Sequence, residues 1–356
     1  VLEFDDLHGP SILHPGAPTI SAAVAVAERE GATGPELAAA IAAGYEVAIR
    51  VGEAAGTQHY VRHHTTGTIG VLGAAVAAAR LLRLDGEGIA DAIGTAATQA
   101  AGLWAFLDDG ADSKPVHPAH AAMAGVIAAD LARAGIRGAR TAIEAPRGLL
   151  ATLGGDPAAA AIVRGLGRDP ARIEALSLKA YPCCGHTHPG IAAAVVLAAD
   201  LRRSGEALVG LDEVEVATYA SALATANVAE PGTPAEAAFS YAYLVAHALV
   251  HGDLDTAFEP ASLGDPAVAA VRARVRLRHE PDHDAEYPEC QPVLVRLRFS
   301  DGRRLECRRR HAPGSPRSPM SDDELRRKVA ALIGPDAERW CAHAAGVVRE
   351  APFRLP

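Results

Sequence analysis

Four polar stretches carry side chains that could do chemistry. The densest runs from Leu176 to Gly190 and holds Lys179, Tyr181, Cys183, Cys184, His186 and His188. An apolar run of β type leads into it, and an Ala/Val-rich helical run, Ile191 to Leu201, follows. A strand that ends in a polar turn and opens a helix lets N–H groups and side chains converge on an anion. Lysine is rare in this chain: Lys114, Lys179 and Lys328 are the only three among 34 basic residues. Arginine therefore supplies the ordinary surface charge, and a lysine kept inside a polar motif points to a need for a compact ammonium. The competing reading of Lys179 is a solvated residue at a strand end. The other stretches are residues 1–17, with Asp5, Asp6, His8 and His14; residues 58–67, with Arg62, His63 and His64; and residues 108–120, with Asp112, Ser113, Lys114, His117 and His120.

Several chemistries can be weighed on spacing alone. Structural zinc needs spaced ligand pairs that can close a tetrahedron. Cys183 and Cys184 are adjacent, and adjacent side chains on an extended segment point to opposite sides; no second cluster of matching spacing occurs. A thiolate nucleophile at Cys184 beside histidines is a further option. No GxSxG elbow, phosphate loop or dinucleotide fingerprint is present, and Gly67 to Gly70 is only a lone glycine pair entering a helix. Acid–base work on an anionic substrate remains. Arg62, Lys114 and Lys179 could hold carboxylates, while His14, His64, His117, His188 and Tyr243 could move protons. Histidine suits the task because its free pKa lies near neutrality. Taken singly, each histidine reads more readily as an ordinary loop or core residue than as a catalytic one.

The elements that must position these groups follow from periodicity. Helices are expected over residues 19–30, from Gly34 through Arg50 after a Thr33–Glu36 start signal, over 68–84, over 86–101 behind Asp85, and from the 108–120 stretch to Ala134. Each polar stretch lies between helices, which is the layout of a helical array whose loops meet at one end. From about residue 170 the texture changes. Val214 to Thr218, Val271 to Arg278 and Val293 to Phe299 alternate as strands, Ser300 to Gly302 supplies a hairpin turn, and one helix is expected over 235–251. The tail from Asp322 to Val348 is helical again. The expected organisation is a helical part over 1–170, an α/β part over 171–316, and C-terminal helices over 317–356 that return to the first. The arginines around Leu305 to Cys307 read as the exposed face of a hairpin strand.

A net charge of −9 argues against nucleic acid as a partner. Five cysteines, an odd number, fit a reducing cytoplasm better than a disulfide framework. No run of about 18 apolar residues could cross a bilayer, so no membrane partner is expected. The chain opens at Val1 inside what reads as a motif, Glu3 to Asp6, and further sequence is expected to precede it in the natural protein.

Together these residues resemble the MmgE/PrpD family, which includes 2-methylcitrate dehydratase, cis-aconitate decarboxylase and an iminodisuccinate epimerase. The matching stretches are Phe4 to Asp6 through His14 to Gly16, Gly44 to Glu46, His64 to Thr68, Ser113 to His117, Lys179 to Cys184 and Glu236 to Tyr243. They run in family order over nearly the whole chain. The resemblance implies a mainly α protein: a large all-helical domain, a smaller α/β lid domain, a homodimer, and a site in the cleft between domains that needs no cofactor or metal. By position it places active-site residues on Glu3, Asp5 and Asp6, and on His14, His64, Lys114, Lys179 and Tyr243. Where the family's decarboxylases carry a pocket histidine, this chain has Cys184. His63 and Thr65 stand where an aromatic residue and a proline are common.

The expectation is a cytoplasmic lyase or isomerase acting on a small di- or tricarboxylate by removal of an α-proton. His14, His64, Lys179, Tyr243 and Asp5 are the expected catalytic residues, and Arg62, Lys114, His117, Cys184 and His188 are expected to bind substrate. The rival from another class is a non-catalytic member that binds a carboxylate or serves in assembly. A thiol at 184 makes the pocket wall less cationic, so the expected preference is for a smaller diacid over cis-aconitate or 2-methylcitrate.

Overall fold

A computed structural model describes residues 3–106, 111, 113–154, 159–347 and 353–354; Asp112, singled out above, lies outside them. Among the described residues about 54% are helical and one small mixed sheet is present, so the protein is mainly α with an α/β part. Its contacts divide it into two units, one drawn from Asp5–Leu176 and Met320–Pro356 and one from Leu2–Phe4 and Ser177–Pro319.

In the first unit α1 spans Gly16–Glu30, α2 Gly34–Tyr60, α3 Thr65–Thr68, α4 Gly70–Leu81, α5 Gly86–Ala97 and α6 Val116–Arg133. Helix α2 starts where the sequence signals it: Thr33 and Glu36 form a reciprocal capping box and Pro35 occupies the first turn. Helix α4 is apolar on every side and buried from Gly70 to Ala79, as a central helix must be; α1, α2, α5 and α6 all pack on it. Small residues let backbones approach. A Cβ on Gly44 would lie 2.6 Å from the Gly73 carbonyl, and one on Gly125 would lie 2.5 Å from the Ala74 side chain. The single turn α3 leads straight into α4, so the residue that begins it, His64, is fixed by the most buried helix of the unit.

In the second unit α7 spans His188–Arg203 and α8 Tyr241–His251. The strands β1 (Leu211–Thr218), β2 (Val275–His279), β3 (Val293–Phe299) and β4 (Arg304–Arg309) form a sheet in the order β2-β1-β3-β4. β1 runs parallel to β2 and antiparallel to β3, and β3 runs antiparallel to β4. The turn at Ser300 to Gly302 carries Gly302 at φ 89°, a conformation that favours glycine. On one face Arg296 pairs with Glu215 and Glu306, and Arg298 with Glu213. Of the basic runs near 303–310, Arg303 pairs with Asp301 and Glu206, and Arg310 with Glu286.

Two expectations need correction. Val271 to Arg278 is not one strand, because Asp265 caps a short helix, Pro266–Arg272, by accepting from the Ala267 and Val268 N–H groups; β2 begins only at Val275. The helix expected over 235–251 is broken. Ser240 pairs its backbone with Asn227 and then caps α8 through its hydroxyl, so a separate turn, Pro234–Ala237, precedes it.

Candidate active site

Three of the four polar stretches meet in the helical unit. The His64 and His117 rings touch through their Nδ1 atoms at 2.8 Å, and the His14 ring centroid lies 6.4 Å from that of His64. His64 enters through the turn ahead of α3. Its N–H donates to the Gly102 carbonyl, and Gly67 in the next turn has no room for a side chain, since a Cβ there would lie 2.3 Å from the Ala101 carbonyl. This close approach brings Trp104 over the His64 ring at 4.9 Å between centroids and Phe106 edge-on to His117 at 5.7 Å. The Trp104 indole is fixed in turn by donating to the Tyr60 carbonyl at 2.7 Å. His117 stands in the first turn of α6, and Lys114, 9% exposed, lies just ahead of that helix.

His14 is held from the other side. Its Nδ1–H donates to the Asp6 carbonyl at 2.5 Å and faces the Asp5 carboxylate at 3.2 Å. The lone pair is thereby placed on Nε2. Its N–H also donates to Thr66 Oγ1 at 3.2 Å, tying its loop to α3. Asp6 anchors this arrangement. One oxygen accepts from the Tyr45 hydroxyl at 2.8 Å and the other from the Gly16 N–H at 2.9 Å.

The electrostatics favour neutral imidazoles. Burial holds His64, 3% exposed, well below the ordinary histidine range, and the charge of Lys114 lowers it further. Burial and then Lys114 also lower His117. Both rings can therefore act as bases near neutrality. Burial pushes the Asp6 carboxyl up from 3.8 to about 6, against the opposing pull of its Tyr45 and Gly16 hydrogen bonds. A carboxyl whose native pKa is raised stabilises the fold when protonated. Its contribution is complete below pH 3.8 and is lost as pH rises through about 6. Asp6→Asn should therefore flatten the fall in melting temperature across that window, and parallel melting curves for variant and wild type would refute this reading.

The α/β unit holds the remaining candidates. Lys179, 3% exposed, pairs with Glu3 at 3.4 Å. Cys183 is fully buried and its thiol is pushed up to about 12 by burial, with Thr187 Oγ1 at 3.4 Å. The Cys184 N–H donates to the Ala238 carbonyl, and none of the five cysteines forms a disulfide. His188 begins α7 with Tyr181 edge-on at 5.2 Å. Tyr243 directs its hydroxyl to the Ala257 carbonyl at 2.6 Å, and burial pushes it up to about 12. Arg62, in the helical unit, is exposed and stands beside Gly154 rather than with the histidines. Among the described residues no three His, Cys, Asp or Glu side chains are placed to share a metal ion, and no helix is long and apolar enough to cross a membrane.

Sequence reasoning did not single out the Tyr45–Asp6 anchor, the Trp104 wall or His59, whose Nδ1 donates to the Leu153 carbonyl and whose Nε2 accepts from the Thr68 hydroxyl at 2.7 Å. The available signals were weak. Trp104 is one of two tryptophans, and His59 lies in the same polar stretch as His64.

Comparison with known proteins shows the family. The chain is 28% identical, over 95% of its length and 74% of the relative's, to a cis-aconitate decarboxylase-like protein, oryM, from Aspergillus oryzae (strain ATCC 42149 / RIB 40). It is 26% identical, over 93% of its length and 72% of the relative's, to a cis-aconitate decarboxylase from Aspergillus terreus (strain NIH 2624 / FGSC A1156). Residues 1–161 match the MmgE/PrpD N-terminal domain and residues 181–340 match the MmgE/PrpD C-terminal domain. With both halves matched in order, the chain belongs to the MmgE/PrpD family.

Proposed function

We propose that this protein is a lyase or isomerase that removes a proton α to a carboxylate on a small di- or tricarboxylic acid, using its own side chains and no cofactor. The observation that carries the reading is the group of the buried His64 with the half-buried His14 and His117, beside Lys114. Neutral imidazoles supply a base, and the Lys114 ammonium with the positive end of α6 makes the same corner attractive to a carboxylate. His64 takes the proton through Nε2. His14, its Nδ1–H already engaged by Asp5 and Asp6, offers Nε2 as the second acid–base group. That division leaves Tyr243, whose proton is held by the Ala257 carbonyl, outside the proton transfers. Lys179 serves as a second carboxylate partner. The family relatives named for cis-aconitate decarboxylation support a dehydratase or decarboxylase type of reaction. A panel of polycarboxylates assayed by NMR with chelator present throughout tests the reading; no turnover of any member would overturn it.

Cys184 is proposed to set substrate choice. A buried neutral thiol supplies neither the charge nor the proton relay of a histidine near neutrality. The protein should favour a dicarboxylate over cis-aconitate and 2-methylcitrate, and Cys184→His should shift preference toward the tricarboxylates. Turnover of either tricarboxylate by the unmodified protein at a kcat/KM of about 10⁴ M⁻¹s⁻¹ or more would contradict this.

A further inference from the structure

The contact between His64 and His117 constrains how protons can move. Two Nδ1 atoms at 2.8 Å must share one hydrogen. If both carried N–H the hydrogens would collide, and if neither did two lone pairs would face each other. The pair is also asymmetric in burial: His64 is 3% exposed, whereas His117 is half-buried. His117 turns Nδ1 to His64 and is partly exposed, which leaves Nε2 as the nitrogen that can exchange with solvent. The charged and titratable groups acting on the pair are Lys114, His14 and His120, with Asp5 opposing them. A proton accepted by His64 alone would create a buried imidazolium beside an ammonium, which burial and like charge both disfavour.

We propose that His64 and His117 form a one-proton relay that carries the abstracted substrate proton outward without creating a buried cation. This rests on the α-proton reading above. The resting pair holds a proton on His64 Nδ1 and on His117 Nε2. The substrate C–H bond breaks and its proton bonds to His64 Nε2. The His64 Nδ1–H proton passes to His117 Nδ1, and the His117 Nε2–H proton leaves to solvent. Both rings end neutral with their tautomers exchanged, and one proton has crossed. His117 is thus a relay residue that acts through His64, a different role from the carboxylate contact expected from sequence.

Three measurements test this. In protein labelled with ¹⁵N-histidine, NMR should show a coupling across the hydrogen bond between the two Nδ1 nuclei, with no substrate required. In His117→Asn the amide keeps a partner for His64 Nδ1 but cannot pass a proton. Its kcat should fall roughly 10²-fold, the lower end for a proton-transfer group, with KM little changed. In His117→Ala, added imidazole should restore turnover in proportion to its free-base concentration. A carboxylate-binding role would raise KM instead and give no imidazole rescue. Absence of the coupling, or wild-type kcat in His117→Asn, would overturn the relay. A protein inactive on the whole panel would sink the functional reading, while the coupling would still decide whether the proton is shared.

Discussion

His64→Asn should lower kcat by about 10²- to 10⁴-fold, the range for loss of a positioned acid–base group, while leaving a native fold. Asparagine is the informative replacement because its amide occupies the Nδ1 position and retains a contact to His117, yet offers no base where Nε2 stood. Alanine would confound the result. The sequence places His64 in a polar loop, from which a melting temperature within a few degrees of wild type is expected on alanine substitution. The structure instead buries the ring between Trp104, His14 and His117, so alanine opens a cavity and strands a polar partner, a combination that costs stability. Steady-state kinetics and thermal melts on the asparagine variant separate the two effects. Wild-type kcat in that variant would remove His64 from the mechanism.

Lys179→Met should damage both stability and substrate binding, by different routes. Lys179 is buried and its partner Glu3 is largely so. Removing one partner of a buried pair typically costs about 3–5 kcal/mol; Glu3 retains some solvent contact, which places this pair toward the lower end. Loss of a buried charged partner for a ligand costs about 2–5 kcal/mol, so KM should rise roughly 30- to 4,000-fold. The double variant Lys179→Met with Glu3→Gln separates a binding role from simple neutralisation of Glu3. Its melting temperature should rise above that of Lys179→Met because the Glu3 charge is removed as well, but its KM should stay high. Recovery of wild-type kcat/KM in the double variant would show that Lys179 serves only the fold.

What the sequence made legible was chemical composition at particular places. His14, His64, Lys114 and His117 stood out because each lies in a polar stretch between apolar helical runs. Their convergence was less legible, since it depends on Gly67 admitting the Ala101 carbonyl and on the glycines and alanines that let α2 and α6 close on α4. The direction of a hydroxyl was not legible at all. Helical spacing puts Tyr243 in α8 but does not say that its proton goes to the Ala257 carbonyl. Asp6 looked like one acid of a pair with Asp5, and only the fold shows one carboxylate facing His14 while the other is anchored by Tyr45 and Gly16. The break at Ser240 was hidden because its cap and its pairing with Asn227 compete with an apolar run that continues on both sides.

The central claim, that this protein removes a proton α to a carboxylate through His64, is tested most directly by deuterium incorporation. Polycarboxylates incubated with the protein in D₂O should gain deuterium at the carbon next to a carboxylate, in recovered substrate or in product, as read by ¹H NMR and mass spectrometry. His64→Asn should slow the incorporation by about 10²- to 10⁴-fold, and Lys179→Met alone should lose it at low substrate concentration and keep most of it at high. Turnover with no deuterium at that carbon, or undiminished incorporation in His64→Asn, would contradict the account.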